Sequence, residues 1–139
     1  MIYNMESALG LEQSEAEWQD WYAEMKPLSG FFKIPGFLTA QRFRGITVMP
    51  SSYFAVYSVE SRETMGSDSY KAGGGGTFGS PRFKPLITFW HRNLFDGPRV
   101  APAVDMETGL LAVMDAPTPL PLPPVLNGFW TKCVALDMT

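Results

Sequence analysis

Between Ser14 and Leu28 the large apolar side chains recur at helical spacing. Trp18, Trp21, Tyr22, Met25 and Leu28 stand at i, i+3, i+4, i+7 and i+10, with Glu15, Gln19, Asp20, Ala23, Glu24 and Lys26 on the other side. Ser14 and Glu17 have the spacing of a capping box, which marks a helix start. Two tryptophans and a tyrosine on one stripe would each bury roughly 150 to 250 Å², so the helix needs a broad partner, and a sheet provides one. Pro27 and Gly30 predict a kink or break, with Phe31, Phe32 and Ile34 carrying the apolar surface on to Pro35-Gly36, where the element ends.

Elsewhere the period is two. Met1 to Glu6, with Ile2, Tyr3 and Met5, is a candidate strand. From Phe37 to Gly45 alternation puts Phe37, Thr39, Gln41 and Phe43 on one face and Leu38, Ala40, Arg42 and Arg44 on the other. A turn over Gly45 to Ser52 then leads to a strand from Tyr53 to Glu60 that is apolar on both faces. One face would take helices and the other something else, a second subunit being one candidate. Ser61 can cap a short helix to about Lys71, and Gly73 to Gly76 end regular structure in a hinge or lid loop. Phe83 to Trp90 fits a helix or a strand, Phe89 to Phe95 a last central strand, and Gly109 to Met114 and Phe129 to Leu136 two peripheral strands. Seven of the twelve prolines lie between Pro98 and Pro124, as suits a segment that wraps a surface in extended form.

With 139 residues, 45% hydrophobic and 14% aromatic, the chain suffices for one core. A net charge of −3 argues against nucleic acid and against a polybasic membrane patch. The lone Cys133 excludes an intrachain disulfide framework, and no signal peptide or membrane span stands out, so a cytoplasmic protein is expected.

Strand, helix, hairpin, helix, strand is the order of a ferredoxin-like α+β domain. Trp21-Tyr22, Pro35-Gly36-Phe37, Ala40-Gln41-Arg42-Phe43 and Tyr53-Phe54-Ala55-Val56-Tyr57 together resemble the EthD-like branch of the dimeric α/β-barrel superfamily. The resemblance covers about residues 1–96 and leaves 97–139 as a Pro-rich extension of the same domain. It implies an antiparallel sheet with helices on one face, a homodimer whose sheets share a barrel, and a ligand cleft between sheet and helices. The family often carries a Glu-His pair on its first helix. Here the matching positions are Met25-Lys26 or Lys26-Pro27, so that role is not transferred to Lys26.

His91, the single histidine, is the candidate general base, against the plainer reading of a hydrogen-bonded structural residue. Arg42, and in some arrangements Arg44, would meet a carboxylate or enolate oxygen, with solvated or salt-bridged arginines as the alternative. Tyr57, Tyr53 and Tyr22 would offer phenolic donors or simply fill the core. Trp18, Trp21, Tyr22, Phe32, Tyr53 and Trp90 are the candidate ligand-lining residues. One histidine and no Cys/His spacing give no metal site, and Gly73 to Gly76 lack the features of a phosphate loop. The expected activity is that of a small-molecule enzyme without a bound organic cofactor, of lyase, isomerase, cyclase or monooxygenase type. A non-catalytic ligand-binding or accessory protein is the alternative.

Overall fold

A computed structural model describes residues 1–10, 15–25, 33–47, 49–72, 82–107, 109–125 and 128–136. The chain builds strands β1 (Ile2–Leu9), β2 (Phe37–Arg44), β3 (Tyr53–Val59), β4 (Ile87–Asp96) and β5 (Lys132–Ala135), with helices α1 (Glu15–Met25) and α2 (Asp68–Ala72) between them. The strands form one antiparallel sheet in the order β2-β3-β1-β4-β5. This α+β arrangement is compatible with a ferredoxin-like fold. No helix among the described residues is long and apolar enough to cross a membrane.

Register fixes which side chains share a face. Tyr3 stands opposite Tyr57 and Leu94, and Met5 opposite Ala55 and Arg92. These join Tyr53 and Val59 on the side covered by the helices. Trp18, fully buried, packs within 5.4 Å of the Tyr22 and Phe83 rings and 6.4 Å of Tyr53, which seats α1 over β3. Tyr70 stacks on Phe37 at 5.9 Å and seats α2 on the same side. Such ring pairs each contribute about 0.5–1.5 kcal/mol beyond their buried area. The predicted stripe is thus seen at Trp18, Trp21 and Tyr22, whereas Ser14, Pro27, Leu28, Gly30, Phe31, Phe32 and Gly73 to Gly76 lie outside the described residues.

Simple alternation fails at the start of β2. Phe37 pairs with Val59 but Thr39 pairs with Ser58, so two β2 steps match one β3 step in a β-bulge. The bulge turns Phe37 to the helix side, against Tyr3 and Tyr57, while Phe43 joins Ile2 and Val56 on the open side. Just before it, Gly36 has φ of 94°, a left-handed conformation that glycine adopts without penalty, and its carbonyl accepts from Glu60.

The open face is partly covered by the chain's own extension. Ala101 N–H donates to the Ser58 hydroxyl at 2.9 Å, Gln41 donates to the Pro102 carbonyl at 2.9 Å, and Val104 N–H donates to Gln41 at 2.8 Å. Beyond it the expected strand from Gly109 to Met114 is absent among the described residues. Leu110, Leu111, Val113 and Met114 are exposed and have no ladder partner. The continuous helix expected after Ser61 is a 3-10 turn, Arg62–Gly66, followed by the short α2. Between Phe83 and Trp90 the strand option prevails, since Pro85 sits in a 3-10 turn and β4 starts at Ile87.

Candidate functional site

Arg42 leaves β2 on the helix side and folds beneath α1. Its guanidinium carbon lies 3.7 Å from the Tyr22 ring centroid, 4.8 Å from Tyr53 and 5.8 Å from Trp18. Nη1 donates to Gln19 Oε1 at 2.7 Å, while Nη2 is buried and has no acceptor among the described residues. Burial lowers the arginine's pKa, and the neighbouring phenols Tyr22, Tyr53 and Tyr57 oppose that. The group stays cationic at neutral pH.

Beside it the Tyr22 and Tyr57 hydroxyls are 2.9 Å apart. Burial pushes both phenols above their ordinary range. At Tyr57 the Tyr22 hydroxyl adds to that effect, and at Tyr22 the Tyr57 hydrogen bond and Arg42 work against it. Both are therefore neutral phenols at physiological pH and serve as hydrogen-bonding groups rather than as phenolate bases. Tyr53 donates to Glu15 Oε1 at 2.7 Å, and the exposed Arg44 pairs with the same carboxylate at 2.8 Å. Arg44 is thus the exposed, salt-bridged residue and Arg42 the half-buried one.

A second arginine lies on this side. Arg92 is buried against the Tyr3 phenol, with its Nε lacking an acceptor among the described residues, and Tyr3 in turn is hydrogen-bonded to Tyr70 at 3.3 Å. Burial, then Tyr70, raise the Tyr3 pKa far beyond the usual range, with Arg92 pulling the other way.

Of the residues expected from sequence, Arg42, Tyr57, Trp18, Trp21, Tyr22 and Tyr53 come together under α1. Trp90 also packs on the helix side, at the β4 edge of the same core. Phe32 lies outside the described residues. His91 does not join them. It is opposite Glu6 in the ladder and against Phe89 at 4.4 Å, on the open face, where Glu6 also accepts from Ser51 and Asn93. The strand neighbour of His91, Arg92, projects to the helix side, because adjacent strand residues point to opposite faces. Arg92, Tyr3, Tyr70 and Gln19 were not singled out from sequence, although strict alternation along Trp90, Arg92 and Leu94 carries the signal for Arg92.

An open depression of about 390 Å³ lies elsewhere, between Asp96, Gly97, Pro119, Trp130, Thr131 and Lys132, and holds none of the expected residues. No group of three or more potential metal ligands occurs among the described residues. Compared with family models, curated proteins and solved structures, the chain matches none of them. The site is therefore read from its own geometry.

Proposed function

We propose that this chain binds a small aromatic or apolar molecule carrying an anionic oxygen, in the layer between α1 and the sheet. The carrying observation is Arg42, a cation held among three aromatic rings with Nη2 buried and unbonded. A buried donor left without an acceptor costs about 1–3 kcal/mol, more when it is charged, and a carboxylate or enolate oxygen at Nη2 offsets that cost. The neighbouring rings select a flat ligand. A cation and two neutral phenols also form a set able to stabilise a developing oxyanion. On that basis the reading extends to a lyase, isomerase, cyclase or monooxygenase type of step, with Arg42 and Tyr57 steadying the charge. Pure binding is the second reading, favoured because the rim carboxylate Glu15 is already engaged by Tyr53 and Arg44.

The test is a calorimetric titration with biphenyl-4-carboxylate and its neutral carboxamide. The carboxylate should bind the wild type saturably, and Arg42→Gln should weaken it by roughly 10- to 100-fold, the worth of a charged hydrogen bond. The carboxamide should bind both proteins equally weakly. Equal carboxylate affinity in the two proteins would sink the reading.

The same reading takes the chain as a homodimer. Of thirteen large hydrophobic side chains exposed among the described residues, eleven follow Arg99. A cluster of exposed apolar side chains of this kind is what a subunit interface covers. A typical interface hides about 800 Å² per partner. Light scattering on the purified protein should give twice the 15.4 kDa chain mass, and a monomer at all concentrations would contradict this.

A further inference from the structure

Strand register places the half-buried Arg42 and the buried Arg92 in one line. Arg42 pairs with Ala55, Ala55 with Met5, and Met5 with Arg92. A single cross-strand row on the helix side therefore runs from β2 to β4 with an arginine at each end and only Ala55 and Met5 between. Three inter-strand steps separate the arginine Cα atoms by about 14 Å.

The two ends are built alike. Each arginine stands beside a pair of bonded tyrosine hydroxyls, one tyrosine from a central strand and one from a helix. Arg42 has Tyr57 of β3 with Tyr22 of α1, at 2.9 Å. Arg92 has Tyr3 of β1 with Tyr70 of α2, at 3.3 Å. The strand tyrosines Tyr3 and Tyr57 face each other in register with ring centroids 5.6 Å apart, so the two halves share one aromatic wall. Arg92 is only 4% exposed and keeps Nε without an acceptor, as Arg42 keeps Nη2. Among the described residues neither is bonded to a carboxylate. Glu15 is taken by Arg44 and Tyr53, and Glu6 lies on the opposite face.

From this geometry we infer that the ligand is a dianion, an apolar or aromatic body with an acidic oxygen at each end, one received by Arg42 and the other by Arg92. Two cations in one row, Arg92 buried and Arg42 partly so, repel each other, and a ligand with matching charges offsets that repulsion together with their loss of solvent. A monoanion leaves one of them uncompensated. This inference rests on the Arg42 site proposed above and extends it to the ligand's second end.

The probes are biphenyl-4-carboxylate and biphenyl-4,4′-dicarboxylate, which differ by one acidic group, titrated into the full chain. The dicarboxylate is expected to bind roughly ten-fold tighter or better, about the contribution of one charged hydrogen bond. Arg92→Met should erase that preference while leaving the monocarboxylate affinity within about two-fold, and Arg92→Lys should retain part of it. Equal binding of the two probes by the wild type, still dependent on Arg42, overturns the dianion inference alone, and this comparison needs no variant to fold. A preference that survives Arg92→Met also overturns it. Failure of both probes to bind overturns it together with the Arg42 site.

Discussion

The guanidinium of Arg42 lies 3.7 Å from the centre of the Tyr22 ring, beneath α1 and on the helix side of the sheet. This contact, with those to Tyr53 and Gln19, holds a cation where burial disfavours it. Cation–π contacts of about 0.5–2 kcal/mol and one charged hydrogen bond of roughly 1.5–3 kcal/mol oppose a desolvation cost of several kcal/mol. The terms nearly cancel. Arg42→Met should therefore change unfolding free energy by less than about 1.5 kcal/mol, measured by urea denaturation. A loss of 4 kcal/mol or more, as for a broken buried pair, would mean that Arg42 is structural.

The Tyr22–Tyr57 hydroxyl pair joins α1 to β3. Tyr57→Phe and Tyr22→Phe should each cost about 1 kcal/mol, the usual size of a neutral hydrogen bond. The double variant should cost less than the sum of the two, with a coupling of roughly 0.5–1.5 kcal/mol. Additive losses would show that the two hydroxyls do not stabilise each other.

Tyr22, Tyr53 and Tyr57 all hold their protons more tightly in the folded chain than an ordinary phenol does. Above the unfolded value of about 10, the folded state therefore binds more protons than the unfolded one. Stability should be level with respect to these groups through neutral pH and fall as pH rises past about 10. Thermal melts across that range should show a shallower fall in Tyr57→Phe. The same slope in both proteins would contradict the assignment.

Gly36→Ala tests the bulged entry into β2. A Cβ there adopts a conformation that L residues avoid, costing about 1–3 kcal/mol, and it collides with the Thr64 side chain. Melting should drop by several degrees or more, with partial recovery in Gly36→Ala/Thr64→Ala, which removes the two nearest atoms. An unchanged melting temperature would exclude the left-handed geometry.

His91→Ala should leave carboxylate binding at Arg42 within about two-fold, because the sheet separates the two residues. A ten-fold loss measured in the same titration would show that the two faces communicate.

The position of His91 also shows what a sequence does and does not carry. The core helix, the hairpin and the central strands were legible because Trp18, Trp21 and Tyr22, and the runs Phe37 to Arg44 and Tyr53 to Val59, follow the periods of their elements. Arg42, Tyr22, Tyr53 and Tyr57 could be grouped for the same reason. The sidedness of Phe37 was not legible, since a bulge inverts parity without any compositional mark. Gly109 to Met114 has strand composition but no partner, and pairing is a long-range property. Tyr3 was hidden in a short strand whose central place emerges only from its two neighbours, β3 and β4.

A crystal structure of the protein with biphenyl-4-carboxylate tests the central claim most directly. The carboxylate is expected within hydrogen-bond distance of Arg42 Nη2 and the rings between α1 and the sheet, near Tyr22 and Tyr57. A ligand found instead in the depression between Asp96 and Lys132, or on the open face beside His91, would contradict it.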